Sequence, residues 1–428
     1  MQFSRPILFA LLFCPLLLHA AVIGTNIPAQ ALTAERVANL PAWKTYLENS
    51  LRQQQADQKF LHEEMKAHGL TNAIEPPKSA SPKGTPLTNP ASWYGGADVR
   101  RLADNVVSFQ TPAGGWSKHT DFTQHPRASG ELFAGDSNSK FNLAHDFDTP
   151  ADVHWNYVGT FDNAATITEL RFLAKVISAS NNDTAALQKS FLRGLDYIFA
   201  AQFPNGGWPQ VWPLQGGYHD AITFNDDALL NILQFLRAVA LGEKEFAFVP
   251  PSVRTKADAS WKRGLECVLA TQVVVDGRRT VWGQQHDALT LQPVSARNYE
   301  MPSLASGESG TLTLFLLQLP NPDSNVVTAV HAAAAWFEKT KIEGKEFKSE
   351  GSLGRTLHAA PGAGPLWSRY YEVGTDKPIF GDRDQSIHDD VNEISRERRK
   401  GYGWFKDTGK RIAQHYAKWV KLHPRPGQ

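Results

Sequence analysis

The sequence predicts a mainly α fold made of stacked helical units, and two observations carry that prediction. Six segments between residues 163 and 341 place apolar residues three or four positions apart, which gives each a buried stripe when wound as a helix. Between them a short phrase recurs. "QTPAGGWSK" (110 to 118) and "QFPNGGWPQ" (202 to 210) share Gln-x-Pro-x-Gly-Gly-Trp at a spacing of 92 residues, and "TQVVVDGRRTVWGQQ" (271 to 285) is a looser third copy. Repetition on this scale marks supersecondary units that bury their apolar faces against one another.

Taken in order, the chain opens with Arg5, the apolar "PILFALLFCPLLL" and "HAA", the sequence of features of a secretory signal peptide over residues 1 to 21. The apolar run is 13 residues long, against the roughly 20 that a spanning helix needs. The expectation is a cleaved export signal, a secreted or periplasmic mature protein, and no membrane partner. Residues 22–92 form an N-terminal extension. Within it, residues 32 to 69 read as one or two polar amphipathic helices ending at a glycine. Residues 71 to 92 carry five prolines in 22 residues, which makes them an extended linker or a loop wrapped over the surface. The main domain, residues 93–428, starts near Trp93 and holds helical segments at 163–180, 185–203, 226–241, 255–272, 307–319 and 324–341. Strand-like alternation is confined to short pieces such as "TVWGQ" (280 to 284).

The repeated phrase is similar to the helix-end motif of (α/α) toroids, in which glutamine caps a helix end, the glycines allow a tight turn and the tryptophan packs on the next helix. Trp208 and Trp282 are expected to pack in this way, while Lys118 and His119, directly after Trp116, leave the role of Trp116 open. Cys14 leaves with the signal. Cys267, the other cysteine, falls at helical spacing in "WKRGLECVLATQ" and reads as a buried small hydrophobe. The fold must therefore stand on core packing, which 42% hydrophobic residues and twelve tryptophans can supply. Charge is nearly balanced, 44 basic against 43 acidic residues. No overall field attracts a nucleic acid, and an anionic ligand must be met by a local cluster.

A second echo lies at two helix starts. "TFDNAAT" (160 to 166) and "TFNDDAL" (223 to 229) both place Asp and Asn there. Helix capping accounts for one such residue. Three oxygen-bearing side chains in "NDD", on the same rim of a ring as Asp162, also suit an oxygen-preferring cation such as Ca²⁺. Further on, "GPLWSRYYEVGTDKPIFGDRDQSIHDD" interleaves aromatic residues with Arg369, Lys377 and Arg383. Surface loops carry such charges without function, but aromatic faces beside guanidinium forks also suit a sugar acid. Arg396, Arg398, Arg399 and Lys400 read as a solvated helix face.

Together "GGWSK", "TFDNAATITELRFLA", "QFPNGGWPQVWPLQGGYHDAITFNDDAL", "VWGQQHDALTLQPVSARNYEMPSL", "GPLWSRYYE" and "FGDRDQSI" resemble the family-10 pectate lyases over roughly residues 93 to 410. The resemblance implies a toroid-like (α/α) fold and Ca²⁺-dependent β-elimination on α-1,4-linked polygalacturonate. It puts the catalytic base on Arg297 and calcium on Asp162 and one aspartate of "NDD", Asp226 before Asp227. It puts substrate carboxylates on Arg369 and Arg383, with Lys118 as a further substrate contact, in a protein expected to act as a monomer.

β-Elimination takes the C5 proton beside a uronate carboxylate and expels the C4 oxygen, so cations that hold that carboxylate stabilise the charge that develops. Arginine is a weak base on its ordinary pKa, and Arg297 also suits the plainer role of binding a carboxylate. Two other classes fit parts of the pattern: an inverting glycosidase using Asp162 and Asp226, whose carboxyls would then stand roughly 6.5 to 9.5 Å apart, and a non-catalytic carbohydrate-binding protein.

Overall fold

The structure, a computed structural model, describes residues 25–81, 83–134, 158–180 and 183–425. The expected signal peptide lies outside the described residues. Among those described, no helix is long and apolar enough to cross a membrane.

Ten α-helices carry the fold among the described residues. They are α1 (Pro41–Ala67), α2 (Ala97–Ser108), α3 (Ile167–Ala179), α4 (Ala185–Ala201), α5 (Ala228–Leu241), α6 (Pro251–Thr271), α7 (Ser306–Leu316), α8 (Ser324–Thr340), α9 (Arg396–Gly401) and α10 (Thr408–Trp419). Helices α2, α4, α6 and α8 alternate along the chain with α3, α5, α7 and α10, and the pairs stack as a toroid-like (α/α) arrangement. The second set, α10 apart, carries the more continuous burial: α5 buries nine of its 14 residues and α7 nine of its 11.

The tryptophan repeat builds this stack four times. After each of α2, α4, α6 and α8, a backbone N–H just past the helix donates to the carbonyl directly before a tryptophan: Thr111 to Gly115, Phe203 to Gly207, Val273 to Val281 and Ile342 to Leu366, at 2.8–3.0 Å. The indoles of Trp116, Trp208, Trp282 and Trp367 are all buried. Each donates its Nε1–H back to a helix carbonyl, of Val106, Ile198, Val268 and Phe337, at 2.7–2.9 Å. Trp116, left open by the sequence, is therefore a packing residue like the others, and Trp367 is a fourth copy that the sequence did not reveal. The glutamine does more than cap its own helix. Gln110 Nε2 donates to Gly114 O in the turn and to Ser190 O on α4, and Gln202 repeats this with Gly206 O and Ser260 O on α6. The first glycine of the pair is required by close approach, because at Gly114 (φ +108°) a Cβ would stand 2.6 Å from Arg193 O.

Strands are short. Leu304–Ala305, Tyr370–Tyr371, Pro378–Gly381 and Ile387–His388 form one antiparallel sheet. The longest pair, Lys345–Ser349 with Arg355–Ala359, was not foreseen, and residues 280–284, expected to be extended, hold no strand. The N-terminal extension contains a single helix, α1, followed by Gly69 at φ +63°. Its Tyr46 donates to Ala201 O at 3.0 Å and joins Leu32, Val37 and Leu47 in the main core. The proline-rich segment lies along the surface, pairing at Ile74 with Glu131 and at Lys78 with Thr120. Cys267 is buried, and burial pushes its thiol up to about 12, as fits a hydrophobe.

Candidate active site

The repeat also sets the site. At Thr160, Thr223 and Ala305, just before α3, α5 and α7, the backbone N–H donates to the carbonyl of Trp116, Trp208 and Trp282. The next residue, Phe161, Phe224 or Ser306, donates at 2.9 Å to the carbonyl two positions past the following tryptophan, on Gln210, Gln284 or Arg369. Each tryptophan-plus-two residue is thereby clamped beside the helix start of the preceding repeat, and its side chain reaches into it. Gln210 lies beside Asp162 and helps to lower its carboxyl, Gln284 Nε2 donates to Asn225 Oδ1 at 2.6 Å, and Arg369 Nη2 donates to Glu308 Oε1 at 2.8 Å. In the first repeat the same position is Lys118, whose Nζ meets Asp162 Oδ2 at 2.5 Å.

The two echoed helix starts share one backbone. Phe161 and Phe224 anchor them in the core, and Asn163 (φ 52°, ψ 30°) matches Asp226 (φ 50°, ψ 33°) in the left-handed region. Such strain in residues other than glycine costs on the order of 1–3 kcal/mol each and gathers at functional sites. In this frame Asp162 matches Asn225, and neither α3 nor α5 has a side-chain cap. The aspartates bond across the rim instead: Asn225 Nδ2 donates to Asp226 Oδ2 at 3.1 Å and reaches Asp162 Oδ1 at 3.5 Å. Asp227 turns the other way, accepting the Thr311 hydroxyl at 2.5 Å.

From Asn225 the bonds continue through Gln284 to Glu300, 3.4 Å away. Glu300 holds Arg297 by three bonds, from the backbone N–H (3.0 Å), Nε (2.9 Å) and Nη2 (2.6 Å), and also accepts the Tyr402 hydroxyl at 2.6 Å. Nη1 of Arg297 takes no hydrogen bond among the described residues, on a side chain 36% exposed. Tyr299 stacks beside it as a shared platform: the guanidiniums of Arg297, Arg383 and Arg398 lie 5.1, 5.3 and 4.4 Å from its ring centre. Glu397 ties Arg383 to Arg398. Arg398 is thus buried in the site and not on a solvated face as the sequence suggested.

Electrostatics sort these groups. Burial works to raise the Asp162 carboxyl, but Lys118 outweighs it, with help from Arg297, and holds it below the usual range. Asp226 is pushed up to about 6 by burial and by the neighbouring Asp162 and Glu308 carboxylates, which Arg369 and Arg297 only partly offset. Burial opposes charge on Glu300, yet Arg297 draws it down to about 2. Burial likewise opposes charge on Arg297, and the Glu300 carboxylate more than compensates, holding the guanidinium well above its ordinary value.

All six residues expected from the sequence, Lys118, Asp162, Asp226, Arg297, Arg369 and Arg383, gather in one region. Asn225, which the sequence offered only as one of the three side chains of "NDD", joins them, and so do Gln284, Glu300, Glu308, Arg398, Tyr402 and Lys406, which were missed. For Gln284 a signal existed, since it stands two past Trp282 as Lys118 stands two past Trp116. Among the described residues no three acidic, histidine or cysteine side chains form a ready-made metal cage. The oxygens of Asp162, Asn225 and Asp226 nonetheless fit a hard cation such as Ca²⁺. Asp226, raised first by burial and then by the Asp162 and Glu308 carboxylates, and the buried Oε2 of Glu308, without a partner among the described residues, leave room there for an added cation.

A rim of carboxylates facing a platform of guanidiniums complements an acidic sugar chain, and comparison with known proteins makes the class definite: this is a polysaccharide lyase. A family model described as pectic acid lyase matches residues 110–413, and the chain belongs to that family. It is similar to a family 10 polysaccharide lyase from Cellvibrio cellulosa, at 31% identity and a TM-score of 0.63 over 78% of this chain and 98% of that one. It is also similar to an aspartate-to-alanine mutant of the family 10 lyase from the same organism in complex with trigalacturonic acid, at 30% identity and a TM-score of 0.63 over 79% of this chain and all of that one. Curated protein sequences return no match.

Proposed function

We propose that the protein is an exported, Ca²⁺-dependent pectate lyase that cleaves α-1,4-linked polygalacturonate by β-elimination and leaves a 4,5-unsaturated end. The observation that carries this reading is the unbroken line of hydrogen bonds from Lys118 and Asp162 through Asn225 and Gln284 to Glu300 and Arg297. It supports the reading by holding a rim of oxygens suited to a cation, and an arginine whose Nη1 is unengaged among the described residues, in a set relation to each other. The trigalacturonic acid of the similar structure is consistent with a uronate chain as substrate.

Asp162, Asn225 and Asp226 would hold the metal, with Asp227 drawn off by Thr311. Bound there, Ca²⁺ would supply positive charge to the uronate carboxylate and stabilise the enolate-like charge at C5. Arg369 and Arg383 neutralise further carboxylates of the chain. Arg297 presents Nη1 to the C5 proton while Glu300 orients the guanidinium through Nε and Nη2. Glu300 also resists the loss of a proton from Arg297, so the base role depends on the opposing field of Lys118, Arg369 and Arg398 and of the bound cation. The same grip favours a second role, in which Arg297 stays charged and clamps a carboxylate.

One experiment tests both levels. Absorbance of the conjugated C4–C5 double bond is followed on de-esterified polygalacturonate with and without a chelator, for the parent protein and for Arg297→Lys. The expected result is calcium-dependent absorbance in the parent and a fall in kcat by a factor on the order of 10² or more in the variant, with trigalacturonate binding little changed. Reducing ends without absorbance would overturn the lyase chemistry. A loss in Arg297→Lys that lies wholly in binding would make Arg297 a clamp.

A further inference from the structure

Lys406 precedes α10 in the strand Phe405–Lys406, which pairs with Trp367–Ser368, immediately before Arg369. Its stem runs across the bare Cα of Gly307 at the second residue of α7, where a Cβ would stand 3.1 Å from Lys406 Cε. A side chain at 307 would therefore displace the lysine. The ammonium end forms no hydrogen bond and no ion pair within 4.0 Å among the described residues. The charges that face it come from every element around that floor: Arg369 from the fourth repeat, Asp226 and Asp227 from the start of α5, and Glu308 from the start of α7. Beside it three buried polar atoms lack partners among the described residues, Nε of Arg369, Oε2 of Glu308 and Oγ of Ser368. Buried polar groups are nearly always satisfied; of these, Nε of Arg369 and Oγ of Ser368 can donate to an anion, whereas Oε2 of Glu308 can only accept, from a cation or a proton donor.

We propose that Lys406 is a substrate-contacting residue whose ammonium binds the uronate carboxylate adjacent to the one gripped by Arg369. This inference rests on the uronate-chain reading above. A polygalacturonate segment carries one carboxylate per ring, so a groove that holds more than one ring needs more than one cation. Arg369 has already committed Nη2 to Glu308. The ammonium of Lys406, on a half-buried stem and tied to no acceptor among the described residues, can follow a carboxylate without first breaking a bond there. Burial and the charge of Arg369 both lower its affinity for its own proton, while the three facing carboxylates oppose that. An arriving carboxylate favours the charged form further, so ligand and proton are held together.

The competing role is internal: Lys406 as a counter-charge for Asp226, Asp227 and Glu308. Calorimetry with trigalacturonate and, separately, with Ca²⁺ alone distinguishes the two, using the parent, Lys406→Met and Lys406→Arg. The proposal expects trigalacturonate binding about tenfold weaker in Lys406→Met and largely restored in Lys406→Arg. It also expects Ca²⁺ binding without sugar to change less than about twofold, and KM to rise while kcat stays within about threefold. Tighter Ca²⁺ binding in Lys406→Met with unchanged trigalacturonate binding would overturn it in favour of the counter-charge. If the parent binds no trigalacturonate, the uronate reading fails and takes this inference with it. If the parent binds and both variants bind equally, the inference alone fails.

Discussion

Trp208 and Trp367 sit in the same frame, yet the side chains they deliver to the site differ. Both indoles are buried, donate to the carbonyl of the preceding helix and are reached through the same backbone bond. Two residues later the second repeat presents Gln210 and the fourth presents Arg369. The frame is thus a property of tryptophan, turn and backbone, and the chemistry is a property of one side chain clamped at a fixed place. A scaffold of this kind can change which charge it offers without changing how it packs.

Three measurements break or sharpen that comparison. The largest effect is expected from the frame itself. Trp208→Ala and Trp367→Ala should each cost about 3–5 kcal/mol, as for other fully buried tryptophans, and denaturant titration should give similar values for the two. A cost confined to Trp208 would make the fourth copy decorative. Next comes the exchanged position. Arg369→Gln, which gives the fourth repeat the side chain of the second, should lower kcat/KM on polygalacturonate by a factor on the order of 10², or about 2.7 kcal/mol. Gln210→Ala, which removes a polar neighbour of Asp162, should cost less than tenfold. Equal losses would mean that the frame and not the side chain carries the chemistry.

The smallest effect lies outside the repeats, on α1. Asp57 is fully buried, accepts a bond from Gln53 Nε2 at 2.6 Å and has an Oδ2 without a partner among the described residues. Burial pushes its carboxyl up to about 7. The unfolded chain releases that proton near pH 4, so between about pH 4 and pH 7 the folded state holds a proton that the unfolded state has lost. Stability therefore falls as pH rises through that window and levels off above it. Asp57→Asn should remove this contribution and raise stability at pH 8 by on the order of 1–2 kcal/mol. Buried Glu169 and Asp220, pushed up to about 7 and about 6, keep part of the slope, so the readout is the difference between variant and parent across thermal melts. No difference would show that Asp57 is solvated when α1 is docked.

The frame was legible in the sequence where its spacing is constant. From the residue that opens each turn to its tryptophan the chain runs 111 to 116, 203 to 208, 273 to 282 and 342 to 367. The first two copies look alike, the third is stretched, and the fourth is split by the hairpin at 345–359. That hairpin is mostly exposed and shows no buried alternation to betray it. Helix α10 escaped notice because it buries only Gly409, Ile412 and Trp419, too thin a stripe to read. Asp162, Asp226 and Arg297 could be picked out from phrases that hold their own neighbours. Tyr402 on Glu300, 102 positions apart, and Lys406 over Gly307 exist only through folding. Arg398 was misread because a basic run looks the same whether it faces water or a tyrosine ring.

The reach of each tryptophan-plus-two side chain into the repeat before it has a consequence for maturation. A chain emerging from its N-terminus could stack its early repeats while Asp162 still waited for Gln210, Asn225 for Gln284 and Glu308 for Arg369. The grip on Arg297 would lack the Tyr402 hydroxyl until the segment leading into α10 had docked. Catalytic competence is then acquired last, when the ring's final strand is laid down, and an activity assay doubles as a readout of how far assembly has gone.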